Sequence, residues 1–510
     1  MARRLAWISR DLNRQVAVLL SRKGDVTHVI VGDKKHFHIP DISRFRSGGG
    51  RLKGLRCVHT HLSGEGLSEE DLTDMTLLAL DMMVSIKVDH EGFPGEVCYS
   101  HILPKDRNGE NRAIYRVPDT GRLDVDFPDL IRSLEDELAR GSPVKSIRKS
   151  EKAVLVAVGT GPKWKAEAHL EELAQLARSD DLEVVDSIFQ TVKQVDSHLL
   201  IGKGKLSDLA LVCVQKGADL LVFDNDLTPA QVRSLADFTE LKIIDRTQLI
   251  LDIFARRAVS REGKIQVELA QLQYLLPRLA TKNTAMSRLT GGIGGRGPGE
   301  TKLEINRRRV YERIARLSRE LAEIGRQRQG RRRLRSAKGL PVISIVGYTN
   351  AGKSTLLNAL THSRVAVKDR LFETLDPSSR RLRFPREQEA IITDTVGFIR
   401  DLPASLMDAF AATLEELNHA DLLLHVLDAS SAGIEDQKRT VEAVLERLGI
   451  NRLPVLLALN KADLLDGAEG RRLAERLGGI SISAVHPSSL APLVEEMARI
   501  IWPHDSSRGI

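Results

Sequence analysis

One stretch, Val342 to Leu357, constrains the fold of this chain more than any other. It reads VISIVGYTNAGKSTLL: an apolar run, a glycine-bearing turn, then the start of an apolar-periodic helix. Gly347, Gly352, Lys353 and Ser354 match the phosphate-loop pattern G-x-x-x-x-G-K-[ST], and the preceding ISIV run supplies the strand that the pattern requires. Polyphosphate is held by many convergent donors. Backbone N–H groups of Tyr348, Thr349, Asn350, Ala351 and the helix start at Thr355 can point at an anion, the glycines let the backbone approach, and Lys353 adds charge. Ser354 is placed to give its hydroxyl to Mg²⁺.

Four further elements follow in order. Phe372-Glu373-Thr374-Leu375-Asp376 contains Thr374, a candidate switch threonine and second metal ligand. Asp394-Thr395-Val396-Gly397 follows the strand-like EAIIT, so Asp394 can support the metal through water and Gly397 can offer an N–H to the terminal phosphate. VLLALNKAD sets Asn460, Lys461, Ala462 and Asp463 after a buried strand. Asp463 can accept from the N1–H and 2-amino group of guanine, which adenine cannot donate, so the base is guanine. ISISAVH places Ser483, Ala484 and Val485 for a backbone contact to that base. Together these imply a guanine-nucleotide hydrolase with Lys353, Thr374 and Gly397 as its catalytic groups.

At about 150 residues per domain, the 510-residue chain has room for three or four domains. Cys57, Cys98 and Cys213 are far apart, without C-x-x-C spacing, so neither a disulfide framework nor a structural zinc site is expected. No apolar segment approaches the roughly 18 residues of a membrane span, and the N-terminus lacks a signal-peptide hydrophobic region. A cytoplasmic protein is expected.

Residues 1–150 read as a small α/β extension of unknown role: two strands around Lys23-Gly24, a helix at DLTDMTLLALDMM and a strand at MVSIKVD. His59-Thr60-His61, Ser68 and Asp71 come near the H-x-H…S-x-x-D ligand string of the JAB/MPN metallopeptidases. The spacing after His61 is one residue short, however, and no glutamate precedes Glu65 to serve as the upstream base. The expectation is core or surface histidines without a working metal site. Residues 151–258 read as a second α/β domain, in which Gly202-Lys203-Gly204-Lys205 is either an anion-binding turn or a solvated turn leading into a helix.

Residues 259–338 differ in kind. Ile265, Leu269, Leu272, Leu276 and Leu279 step by four and three, as do Val310, Ile314, Leu317, Leu321 and Ile324. These heptad stripes predict an antiparallel helical hairpin, kinked at Pro277, with a tip at Thr290 to Lys302 too glycine-rich to be helical. From Lys302 to Lys338 fourteen basic residues face four glutamates, a net of +10 where the whole chain carries +7. Arg307, Arg308, Arg309, Arg331, Arg332, Arg333 and Arg335 call for a polyanion, and with aromatics at only 4% the contact would run through phosphates and RNA shape. Residues 339–504 read as a doubly wound G domain and 505–510 as a tail, completing an α/β multidomain chain.

The strings GYTNAGKSTLLNALT, FETLDP, DTVGFI, NKAD and, above all, GGIGGRGPGETKLE from Gly291 resemble the HflX family of translational GTPases, as do LLIGKGK and IDRTQLILDIFARRA. The resemblance covers about residues 150 to 500. It implies GTP and GDP as ligands, association with the large ribosomal subunit and its RNA, the glycine-rich tip near the peptidyl-transferase centre, and splitting of stalled ribosomes under stress by a monomer. Asn350 matches an asparagine that helps hold K⁺ in related GTPases. One departure is Phe398, where Ras-like enzymes place a water-orienting glutamine, so slow intrinsic turnover is expected. The competing readings are a GTP-controlled RNA-binding or ribosome assembly factor and, in the extension, a metallopeptidase.

Overall fold

A computed structural model describes the chain apart from residues 41, 43–51, 108–109, 141–150, 195–199, 240, 280–301, 337–338, 362–370, 373–377, 404–405, 408–414, 451 and 504–510. The glycine-rich stretch Thr290 to Thr301, the switch residues Glu373, Thr374, Leu375 and Asp376, and the tail 505–510 therefore lie outside the described residues, as do the side chains of Arg331, Arg332, Arg333 and Arg335. The chain divides into two compact units.

The first unit joins Met1–Ala177 to Asp181–Arg246. It begins with α1 (Ala2–Leu12), β1 (Val16–Ser21), β2 (Val26–Val31), β3 (Leu55–His61), α2 (Glu69–Leu77), β4 (Met82–Val88), β5 (Pro94–Arg107), β6 (Glu110–Val117) and α3 (Phe127–Arg140). The strands form one sheet in the order β2-β1-β3-β4-β5-β6, with β3 and β4 parallel and the other pairs antiparallel. The strand pair around Lys23-Gly24 and the later strand agree with the sequence reading, whereas the helix stops at Leu77 and Met82 and Met83 already belong to β4; α1 and the β5–β6 pair are additions. The helix α2 starts where its chemistry dictates. Ser68 accepts from the Asp71 N–H at 3.1 Å while the Asp71 carboxylate accepts from the Ser68 N–H at 2.8 Å, a capping box that satisfies two first-turn donors.

The same unit continues with β7 (Lys152–Gly159), α4 (Lys163–Ser179), β8 (Glu183–Thr191), α5 (Lys203–Lys216), β9 (Leu220–Phe223), α6 (Pro229–Phe238) and β10 (Lys242–Asp245). The four strands pair in parallel in the order β10-β9-β7-β8. Gly202 is the N-cap of α5, so the Gly-Lys-Gly-Lys turn leads into a helix. Leu211 and Val214 of that helix join the apolar core of the first sheet, which ties the two halves of the unit together.

The second unit comprises Arg178–Asp180 and Thr247–Ile510. It holds α7 (Arg246–Arg257), α8 (Arg261–Leu279), α9 (Lys302–Ser336), β11 (Val342–Gly347), α10 (Lys353–Thr361), β12 (Ser378–Arg383), β13 (Glu389–Asp394), β14 (Leu422–Asp428), α11 (Ile434–Arg447), β15 (Val455–Asn460), α12 (Gly467–Leu477), β16 (Ile480–Ser481) and α13 (Ala491–Ile501). The sheet order is β12-β13-β11-β14-β15-β16, parallel except for β12. Side chains of α10 and α13 pack in one core with the sheet, and Ile434 and Ala474 of α11 and α12 pack in another with Leu427 and Leu459. Helices on both faces make the sheet doubly wound. The chain runs outward from β11 in one direction and from β14 in the other, so the end of β11 is the crevice where such sheets bind ligands.

The two heptad stripes meet as expected. Ile265, Leu269 and Leu317 are buried together, with Leu272, Ile314, Leu321 and Ile324 against them. Arg313 donates to both Glu268 carboxylate oxygens at 2.7 and 2.8 Å, and Arg261 pairs with Glu320, so the cross-links run in opposite sequence directions and fix an antiparallel register. The helix α8 continues past Pro277, with the Arg278 guanidinium 3.4 Å above the Tyr274 ring.

Leu317 is the most buried side chain of that seam, at 2% exposure. Leu317→Ala should cost the hairpin about 2–5 kcal/mol of local stability. Hydrogen exchange checks this: amides of α8 and α9 should exchange faster in the variant, while those of the doubly wound sheet keep their wild-type rates.

Candidate functional site

The phosphate loop joins β11 to α10, and its geometry requires its glycines. Gly347 has φ 154°, and a Cβ there would lie 2.3 Å from the Val426 carbonyl oxygen on β14. Gly352 has φ 88°, and a Cβ there would lie 2.3 Å from Asn460 Nδ2. Asn350 also adopts the left-handed region, at φ 61°, which asparagine tolerates better than most residues. The loop is therefore a tight arch set by its neighbours in the sheet.

Lys353 is the first residue of α10 and is buried. Its ammonium donates to the carbonyl oxygens of Tyr348 at 2.8 Å and Gly347 at 3.2 Å. Burial pushes its pKa down to about 8, partly opposed by the negative charge of Asp394. Ser354 donates its hydroxyl to Asp394 Oδ2 at 2.7 Å, bringing together the two groups read from sequence as the metal-supporting pair. A hydroxyl and a carboxylate are hard oxygen donors, so the pair fits Mg²⁺. Thr395 donates to the Ile345 carbonyl and is buried, which anchors the strand end rather than exposing the hydroxyl.

The segment at Gly397 is bound to the loop backbone. Thr349 N–H donates to the Phe398 carbonyl at 2.7 Å, Phe398 N–H donates to the Gly347 carbonyl at 3.1 Å, and the Arg400 N–H donates to the Tyr348 hydroxyl at 2.8 Å. A Cβ on Gly397 would lie 2.8 Å from Thr349 Cγ2 and 3.0 Å from Thr349 Cα, so this position too favours glycine. Phe398 is 2% exposed and carries no polar atom to orient water, as the sequence predicts.

The base-reading segments converge on Asn460. Its Nδ2 donates to the Ala351 carbonyl at 2.9 Å, and its Oδ1 accepts from the Ala484 N–H at 2.9 Å. Lys461, left-handed at φ 62°, donates to Asp428 Oδ2 at 2.6 Å. Asp463 is exposed and accepts a hydrogen bond from the Ser483 hydroxyl. Ala462 and Val485 flank these groups in sequence, and Val485 is 61% exposed. Phe372 is buried, its ring is edge-on to Phe254 of α7 with centroids 4.6 Å apart, and the Leu371 N–H donates to the Ser179 hydroxyl. Two contributors escaped the sequence reading. The Tyr348 hydroxyl lies in a loop position read only for its backbone, and Asp428 closes the LLLHVLD strand with an acid whose sole signal was its place at a strand end.

Two outcomes follow from this geometry. A phosphate beside Lys353 restores its charged form, so nucleotide binding takes up a proton only above the free enzyme's pKa. Affinity should be flat below pH 8 and about tenfold weaker by pH 9, with the slope absent in Lys353→Met. Fluorescent-nucleotide titration at fixed Mg²⁺ measures it. In Asp463→Asn the amide presents a donor where guanine N1–H also donates, so GDP affinity should fall at least about a hundredfold while xanthosine diphosphate binding is gained.

Comparison with known proteins gives three consecutive matches. Residues 167–255 match the family described as GTP-binding GTPase N-terminal, residues 257–335 its GTP-binding GTPase Middle Region, and residues 342–461 the 50S ribosome-binding GTPase family. The GTPase HflX of Caldanaerobacter subterraneus subsp. tengcongensis is 49% identical over 355 residues, 70% of this chain and 82% of that protein. The GTPase HflX of Escherichia coli K12 is 45% identical over 302 residues, 59% of this chain and 71% of that one. A crystal structure of a GTP-binding protein from Sulfolobus solfataricus with GDP aligns at a TM-score of 0.39 and 24% identity, over 69% of this chain and 99% of that chain. The chain belongs to the HflX family and is a GTP-hydrolysing enzyme.

Proposed function

We propose that this GTPase binds the large ribosomal subunit through its hairpin and uses the GTP cycle to split stalled ribosomes under stress, acting as a monomer in the cytoplasm. One observation carries the reading. The apolar seams of α8 and α9 cover each other, yet fourteen basic residues stand against four glutamates between Lys302 and Lys338. Ion pairs such as Arg313–Glu268 and Arg308–Glu312 neutralise only a fraction, and Arg307, Arg308 and Arg309 are exposed. That surplus suits a phosphate backbone. The 50S ribosome-binding description of the family matched by residues 342–461 supports the same partner. Among the described residues no helix is long and apolar enough to cross a membrane.

In this reading Ser354 and Thr374 would hold Mg²⁺ with Asp394 supporting it through water, and the ion would supply positive charge to neutralise the phosphates. Lys353 would exchange its loop carbonyls for the phosphates, Gly397 would give its N–H to the terminal phosphate, and Asn350 would help to hold K⁺. With Phe398 unable to orient water, intrinsic turnover is slow and the ribosome accelerates it. A GTP-controlled RNA-binding or assembly factor would share the hairpin and the nucleotide site but leave ribosomes intact.

Reversing Arg307, Arg308 and Arg309 to Glu should abolish stimulation of GTP turnover by large subunits, leaving nucleotide affinity of the isolated protein unchanged. The wild type should lose affinity with salt by roughly 0.7–0.9 log units per contact per log unit of salt, and the variant should follow a shallower slope. Light scattering of whole ribosomes, run in K⁺ and in Na⁺, separates splitting from mere association. Normal stimulation in the variant, or binding without splitting in the wild type, decides against this reading.

A further inference from the structure

The first sheet carries a cluster that the nucleotide cycle does not use. His59 and His61 alternate along β3, so both side chains leave the same face of a strand flanked by β1 and β4. Asp71 meets them from the first turn of α2, where the capping box fixes its carboxylate: Oδ2 accepts from the Ser68 N–H at 2.8 Å and from the Ser68 hydroxyl at 2.7 Å. All three are buried, at 0%, 3% and 7% exposure. The short spacing after His61 did not prevent the meeting, because the helix begins at Ser68 and its cap delivers the acid.

The separations are near those around a metal ion. His59 Nε2 and His61 Nε2 are 2.9 Å apart, His59 Nε2 lies 3.4 Å from Asp71 Oδ1, and His61 Nε2 lies 3.3 Å from Asp71 Oδ2. A tetrahedral ion with arms of about 2.0–2.1 Å sets its ligands about 3.3 Å apart. With one ligand atom from each side chain, the two imidazole nitrogens and a carboxylate oxygen lie within 4.8 Å of one another, close enough for small side-chain adjustments to bring all three onto one such ion. We propose that His59, His61 and Asp71 bind a divalent first-row transition metal, zinc foremost, with the fourth position left to solvent.

The surroundings set the strength of the site. His61 Nδ1 faces Gln15 Nε2 at 3.5 Å, and His59 Nδ1 has no hydrogen-bond partner among the described residues. Ligating imidazoles ordinarily donate their outer N–H to a carbonyl or carboxylate, and loss of that partner weakens affinity about 10- to 100-fold. The site is accordingly weaker than a structural zinc centre. Gln15→Glu would place a carboxylate beside His61 Nδ1 and tighten binding by the same factor. A histidine pair of purely structural role would gain no metal affinity from that change.

The test uses the full-length protein, stripped with chelator and kept in excess Mg²⁺ and GDP so that the phosphate loop is occupied. Titration with Co²⁺ should give the visible absorption of a four-coordinate ion at one equivalent per chain, discharged by Zn²⁺. Asp71→Asn and His61→Ala should each bind at least tenfold more weakly with GDP affinity unchanged, and Gln15→Glu should bind 10- to 100-fold more tightly. Should those variants fail to fold, X-ray absorption of the Zn²⁺-loaded wild type decides, since it must contain scattering from two imidazoles. Absence of a stoichiometric Co²⁺ spectrum, equal binding by folded variants, or zinc without imidazole scattering overturns the proposal.

Discussion

A single buried carboxamide holds the nucleotide site in shape. Asn460 Nδ2 donates to Ala351 in the phosphate loop, Oδ1 accepts from Ala484 in the loop after β16, and the same group packs where any side chain on Gly352 would stand. These contacts join the ends of β11 and β15 across the intervening β14 and tie the phosphate loop to the segments expected from sequence to contact the base. Each partner is buried, so loss of the amide would leave a donor and an acceptor unsatisfied, at about 1–3 kcal/mol apiece. A preformed site of this kind loses little ordering entropy when nucleotide arrives.

Lys353 bears the opposite burden. Its ammonium is buried against two carbonyls and is discouraged from carrying charge, with only Asp394 in opposition. Lys353 is thus a poorly solvated cation, and a phosphate beside it would offset that cost. Binding energy and folding energy are coupled at this residue, so nucleotide acts as a stabilising ligand of the domain.

The site was legible in sequence where function is carried by the local backbone. Gly347, Gly352, Lys353, Ser354, Asp394 and Asn460 stand out because they sit at the fixed spacings of short strand-to-turn strings, and the hairpin because Ile265 and Leu269, and on the other helix Ile314, Leu317 and Leu321, repeat at helical spacing. What stayed hidden depends on tertiary context. The strand β12 reads SSRRLR; only Leu382 in it is buried, and its arginines guard a sheet edge, a pattern with no hydrophobic signal. The helix α1 carries three basic residues among its first ten and buries a narrow stripe of Leu5, Ala6 and Ser9. The meeting of His59, His61 and Asp71 was discounted on linear spacing, whereas strand alternation and a helix cap decide it in space.

The backbone bonds between the phosphate loop and Phe398 have a mechanical consequence. Tyr348 and Phe398 pair as a parallel bridge, and the Tyr348 hydroxyl also holds Arg400. The chain after Asp394 is therefore tied to β11 and the loop at Thr395, Phe398 and Arg400. Asp401 follows with φ 51°, a left-handed twist in a residue other than glycine. The backbone ties between this segment and the phosphate loop thus end one residue before a left-handed aspartate, so the direction in which the chain leaves the loop is set by Asp401 and not by the loop itself.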